Sequence, residues 1–298
     1  MKTALFAALT VASIAFVAYW ATALMARRSA GERLTPSWLE LGVAFVTNIF
    51  DTLGIGCFAT ITACYKLWNM VPDELIPGTL MVGVTPPSLL QAFIFIAVVD
   101  VDFTTLALMI TASAAGAWLG AGIVSRLPRL RIRLGMGTAL LAAATLMIMS
   151  QLHWIPSGGE GIGLSGPALA LAVACNLIFG ALMTLGIGLY APCMILVSLL
   201  GMNARAAFPI MMGSCAVLMS VGSVPFIRSE RYSRKAALGL TAGGIPGVLL
   251  AAFVVKSMPL NAVRWLVVVV VIYTASMMLR SASAERRSAN PEPLPAEA

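Results

Sequence analysis

Thr52-Leu53-Gly54-Ile55-Gly56 stands in the middle of an apolar run from Trp38 to Trp68, and the same pentapeptide returns as Thr184-Leu185-Gly186-Ile187-Gly188 inside a second long apolar run. The second copy lies nearly half the chain further on, and the register extends beyond it. Phe58 and Ala59 match Tyr190 and Ala191; Met81 and Gly83 match Met211 and Gly213. Gly116, Leu119, Ala121, Pro128 and Arg133 match Gly247, Leu250, Ala252, Pro259 and Arg264, at a slightly shorter offset. Gly and Ala recur by chance in any apolar chain, so the weight rests on the pentapeptide and on the Pro and Arg positions. The chain reads as a duplication, and internal repeats of this kind point to a transporter.

With 60% hydrophobic residues, 10% charged residues and a mean hydropathy of +0.94, the chain lacks the polar surface to cover a soluble globule. It reads as an all-α polytopic membrane protein whose main partner is the lipid bilayer. The net charge of +7 comes from basic residues clustered between apolar runs, the pattern of the positive-inside rule, so nucleic acid is not an expected partner. The five cysteines all lie in apolar stretches without a CxxC pair, which gives neither a disulfide framework nor a structural zinc site. No metal or other cofactor is expected. An intramembrane enzyme is disfavoured too, because HExxH and G-x-S-x-G are missing. The single histidine, His153 beside Trp154, reads as an interfacial anchor.

Residues 4–25 are apolar and long enough to cross a bilayer, which takes about 20 helical residues. Ala21-Thr22-Ala23 also fits a signal-peptide cleavage site. Arg27, Arg28 and Arg33 follow directly and favour an uncleaved extra helix with a periplasmic N-terminus. Two later segments, 38–68 and 167–199, are too long for one crossing. The first would make a helix of about 46 Å against a hydrocarbon core of about 30 Å. Each carries its Gly-x-Gly near the middle, where a chain can reverse.

The basic residues choose between topologies. If each long segment crosses once, 10 Lys and Arg fall inside and 9 outside; if each returns to its side of entry, 15 fall inside and 4 outside. The returning arrangement makes the halves inverted repeats with broken or re-entrant helices at Gly-x-Gly. Two full crossings per long segment would keep the same parity. The resulting organisation is 1–34, the N-terminal transmembrane helix and a basic cytoplasmic link; 35–152, the first repeat; 153–166, an external loop; 167–280, the second repeat; and 281–298, a disordered cytoplasmic tail.

The breaks carry the candidate chemistry. A broken helix leaves backbone N–H groups and a positive dipole end at the start of its second half, a setting for an anion. Asn48, Thr52, Gly54, Gly56, Cys57 and Thr60 line the first break; Asn176, Thr184, Gly186, Gly188, Tyr190 and Cys193 line the second; Thr79 and Ser214 sit in the helices that follow. The same glycines also suit close helix packing. Asp51 is the acid placed deepest in an apolar segment. An intramembrane carboxylate costs roughly 2.5–3.5 kcal/mol on insertion scales, which makes it a candidate for proton coupling. An Asp near a helix break also serves as a plain cap. Ile76-Pro77-Gly78-Thr79, Thr85-Pro86-Pro87 and Gln91 are expected to interrupt the next helix, either along a substrate path or as kinks satisfied by neighbours.

At the two breaks and at the stretches 128–133 and 259–264, the chain resembles the TauE/SafE family of sulfite-exporter-like bacterial permeases. The resemblance runs from about residue 38 to 279, with Gly-Ile-Gly where the commoner family form has three glycines. It implies a multi-pass protein of the bacterial inner membrane with a cytoplasmic C-terminus. It further implies a secondary transporter that exports or exchanges small anions: sulfite, organosulfonates or related sulfur oxyanions. A carrier of a cation or neutral solute using Asp51, or an accessory membrane subunit, is the alternative.

Overall fold

The structure is a computed structural model that describes residues 2–28, 34–123, 159–183 and 189–257, with individual positions between 134 and 152 and between 259 and 283. The second pentapeptide (184–188), the basic link 124–133, His153 with Trp154, and the tail 284–298 lie outside the described residues. Among the described residues the regular elements are helices, and the one β feature is an isolated bridge between Gly161 and Met202.

The extra helix α1 (Lys2–Arg28) buries Leu9, Phe16 and Trp20 along one stripe and leaves Val11 and Ile14 exposed. It lies on the central helices of the following bundle, with Phe6 stacked on Phe93 and the Trp20 indole Nε1 donating to the Tyr232 hydroxyl at 3.2 Å.

The first long segment breaks where its glycines stand. Helix α2 (Trp38–Thr52) begins with a capping box in which Ser37 and Glu40 satisfy each other's backbone N–H groups. It ends in a Schellman closure, with Ile55 N–H on Phe50 O at 3.0 Å and Gly54 N–H on Asp51 O at 2.9 Å. That closure needs a left-handed residue, and Gly54 supplies it at φ +94; Gly56 follows at φ +84. The chain re-enters helix as α3 (Phe58–Leu67).

Helix α4 (Ile76–Val98) runs without interruption through Pro86 and Pro87, which follows the second of the two readings, prolines satisfied by neighbours. Pro87 cannot donate to Gly83 O, and the Thr241 hydroxyl takes over that carbonyl at 2.9 Å. The helix therefore survives because a neighbour serves the freed group. Helix α5 (Phe103–Ile123) follows. The later elements are α6 (Gly166–Met183), α7 (Tyr190–Leu199), α8 (Ala207–Arg228) and α9 (Arg234–Ser257).

The helices pack reciprocally. Helix α2 lies along α9 and α6 along α5; α4 and α8 lie against each other at the centre, with α9 also on α4 and α5 also on α8. Individual contacts follow the same rule. A Cβ at Gly247 would stand 2.4 Å from Phe45 O, and one at Gly116 would stand 1.8 Å from Leu177 O. Both partners of the first contact match those of the second in the repeat register: Gly247 corresponds to Gly116, and Phe45 to Leu177. Gly83 meets Thr241 just as Gly213 meets Ile110. Asp102 caps Thr105 N–H and Ser233 caps Ala236 N–H, again at corresponding positions of the two halves.

Helix starts and loops meet at two ends of the bundle. The start of α2 meets the start of α9 through Glu40 and Gly239, and the start of α4 meets the same turn through Thr79 Oγ1, which accepts Ser233 N–H at 2.8 Å. At the other end, residues 161–164 bond to Asp102 and Thr105 before α6, and Gly161 bonds to Gly201 and Asn203 after α7.

Five helical spans are long and apolar enough to cross a membrane: Leu5–Ala26, Ile76–Val98, Gly166–Met183, Ala204–Arg228 and Arg234–Val254. Apolar side chains also cover the outside, with Trp38 89%, Trp118 79% and Phe253 72% exposed, where a soluble protein would turn polar groups. The chain is a multi-pass α-helical protein built for lipid.

Candidate functional site

Asp51, in the last turn of α2, is buried with both carboxylate oxygens engaged. Oδ1 accepts the Cys57 backbone N–H at 2.9 Å, so the carboxylate reaches across the break and caps the N-terminal end of α3. Oδ2 accepts Gln91 Nε2 from α4 at 2.9 Å. The same nitrogen donates to Thr52 Oγ1 at 2.9 Å, and the Thr52 hydroxyl donates back to Asn48 O at 2.7 Å. The capping reading of Asp51 is thus visible in the geometry. The donor expected to hold an anion at the first break is held by the protein's own carboxylate.

The second half supplies the opposite wall. Tyr190, the first residue of α7, is buried and turns its hydroxyl toward the Asp51 carboxylate and the Cys215 thiol of α8. The Cys57 thiol faces Asp51 as well. Cys193 is buried nearby, and Cys215 Sγ lies 3.8 Å from Met183 Sδ. Gly54 lies so close to α7 that a Cβ there would stand 2.9 Å from Met194 Sδ. The first break and the start of α7 therefore meet around Asp51. Among the described residues no Lys, Arg or His forms an ion pair with Asp51, and no three His, Cys, Asp or Glu side chains converge on a metal-binding geometry.

The other expected site residues divide. Asn48 is buried one turn before Thr52, with Nδ2 on Ala44 O at 2.9 Å. Thr60 donates back into the break, to Gly56 O at 3.4 Å, and Gly56 has open space where a Cβ would stand. Asn176 belongs to a separate seam, donating to Met109 O at 2.6 Å and to Ser214 Oγ at 3.3 Å, where it ties α6 to α5 and α8. Thr79 stands at the end of the bundle and holds the turn before α9. Thr184, Gly186 and Gly188 lie outside the described residues.

Two residues around Asp51, its partner Gln91 and the neighbouring Cys215, escaped the sequence reading of the site. Gln91 stood there only as a polar interruption, yet a buried amide one turn after Pro87 marks the helix face turned inward. Cys215 carried no signal beyond being a thiol in an apolar helix.

Fold and site together define the class: a multi-pass α-helical membrane protein with a buried, hydrogen-bonded carboxylate at a broken helix. No family model, no curated protein and no solved structure matches this chain.

Proposed function

We propose that this chain is a secondary transporter that exports or exchanges small anions, with sulfite, organosulfonates or related sulfur oxyanions as substrates and Asp51 as the proton-coupling group. The observation that carries the reading is the Asp51 carboxylate seated on the Cys57 N–H at a broken helix, facing Tyr190 of the other half. An anion entering the break competes with this tethered carboxylate for the same donor and the same helix end. Protonation of Asp51 removes its claim on the Cys57 N–H, so the anion binds with a proton and leaves with it. Tyr190, Cys57 and Gln91 surround the carboxyl and set when that exchange occurs.

The reciprocal packing of α2 on α9 and α6 on α5 supports two repeats. The contacts that join the starts of α2, α4 and α9, and those that join the residues before α6 to those after α7, support their inversion and a re-entrant path. In this reading α4 and α8 form the seam along which the halves rock, with the 229–235 turn on the cytoplasmic side of a bacterial inner membrane, the N-terminus periplasmic and the C-terminus cytoplasmic. The family suggested by the breaks is TauE/SafE.

The test is uptake of radiolabelled sulfite into proteoliposomes under an imposed pH gradient, comparing the native protein with Asp51→Asn. Gradient-driven uptake in the native protein, with the gradient dependence lost in the variant, is the expected result. Uptake no greater than in empty liposomes, for sulfite and for organosulfonates, sinks the substrate assignment.

A further inference from the structure

Two buried amide oxygens near Asp51 have no protein partner, Asn48 Oδ1 and Gln91 Oε1, and both residues are 0% exposed. Their orientation is fixed chemically. Asn48 Nδ2 is committed to Ala44 O, and Gln91 Nε2 to Asp51 Oδ2 and Thr52 Oγ1; exchanging oxygen for nitrogen would set acceptor against acceptor. Unsatisfied buried acceptors cost free energy unless a donor or a cation serves them.

The two oxygens share one seam. Asn48 and Thr52 are one turn apart on α2, and Pro87 and Gln91 are one turn apart on α4. Gly244 of α9 fixes the lower level: a Cβ there would stand 2.7 Å from Pro87 Cγ and 2.8 Å from Asn48 Nδ2. The hydrogen bond from Gln91 to Thr52 fixes the upper level. Acceptors dominate this seam: a carboxylate, two amide oxygens and a hydroxyl, beside the negative C-terminal end of α2.

We infer that the α2–α4–α9 seam holds a desolvated monovalent alkali cation of sodium size, bound by Asp51, Gln91 Oε1, Asn48 Oδ1 and Thr52 Oγ1. Oxygen ligands select hard cations. A single carboxylate neutralises one positive charge, so a monovalent ion leaves the site uncharged within the membrane, whereas a divalent ion leaves a net charge there. The binding site stands on these residues alone; its role as the coupling ion, alternating with the proton on Asp51, rests on the transport reading above.

The test uses the purified full-length protein in detergent. Thermal unfolding is followed in NaCl, KCl and choline chloride at constant ionic strength, and ²²Na⁺ binding is measured by equilibrium methods. The native protein is expected to show a saturable Na⁺-specific rise in apparent Tm and saturable ²²Na⁺ binding. Asn48→Ala is expected to weaken Na⁺ binding roughly tenfold, while Asn176→Ala, in the other seam, where the amide oxygen is likewise unpartnered but the amide nitrogen faces Met109 O and Ser214 Oγ rather than a carboxylate, leaves it unchanged. No difference between Na⁺ and choline in the native protein overturns the inference without recourse to any variant. So does binding that survives Asn48→Ala intact, or that Asn176→Ala abolishes equally. Sodium binding without sulfite uptake leaves the site standing and removes the substrate assignment; sulfite uptake without sodium binding does the reverse.

Discussion

Asp51 Oδ1 and the Cys57 backbone N–H are joined at 2.9 Å across the break between α2 and α3. The carboxylate belongs to the C-terminal end of one helix, where the dipole disfavours it, and caps the N-terminal end of the next, where the dipole favours it. Its hold on the second helix is therefore what steadies the break.

Asp51→Ala is expected to leave the Cys57 N–H and a Gln91 N–H without their acceptor. Each orphaned donor costs about 1–3 kcal/mol. Asp51→Asn is milder, because the introduced amide still offers oxygen to Cys57, and Gln91 can turn its free oxygen toward the new NH₂ group. Apparent Tm of the detergent-solubilised protein should fall well below native for Ala and only slightly for Asn.

Gly116→Ala and Gly247→Ala should both be severe, since the added Cβ would lie 1.8 Å from Leu177 O and 2.4 Å from Phe45 O. Backbone cannot yield as a flexible side chain does, and overpacking of this kind costs about 1–3 kcal/mol or more. Gly42→Ala, with nothing within 4 Å, is the control, expected to be neutral or stabilising by up to about 1 kcal/mol. Equal loss of Tm in all three variants would refute the close-packing account.

Within the break, Gly54→Ala and Gly56→Ala separate backbone strain from crowding. Both glycines have positive φ, but a Cβ at Gly54 also meets Met194 Sδ at 2.9 Å, whereas one at Gly56 meets nothing within 4 Å. The Gly56 variant should lose roughly 1–2 kcal/mol from the left-handed conformation alone. The Gly54 variant should lose more, and shortening Met194 in the same chain should recover part of the difference.

The Trp20–Tyr232 hydrogen bond fastens α1 to the turn before α9, with Arg234 5.7 Å from the Tyr232 ring. Tyr232→Phe should cost about 0.5–1.5 kcal/mol. A double-mutant cycle with Trp20→Phe should return most of that as coupling. Burial raises the Tyr232 phenol above its ordinary 10.0, so its contribution from this shift opposes the usual sense: the unfolded chain ionises first, and alkaline pH between the two values favours unfolding. The native protein should therefore lose Tm on alkaline titration more steeply than Tyr232→Phe.

The helical class, the membrane spans and the first break were legible in the sequence because each is a local property: hydropathy over about 20 residues, or glycine where the backbone must turn left-handed. Gly116, Gly247, Gly83 and Gly213 stood at matched positions in the sequence, and the structure shows what they do, admitting a neighbouring helix to close approach. The choice between the two readings of the α4 prolines was not legible, because the rescue of Gly83 O by Thr241 joins two distant parts of the chain, invisible to any local window. For the same reason the bond from Ser233 N–H to Thr79 was not legible. Nothing local distinguishes a threonine that lines a path from one that holds a distant turn.

Two halves related by an exact twofold would make their two rocked arrangements equal in free energy, and neither would be a ground state. Helix α1 has no counterpart in the register, and it is attached through Phe93 and Tyr232 to one particular arrangement of α4 and the turn before α9. In the transport reading proposed above, that attachment would lift the degeneracy and give the bundle a preferred pose at rest.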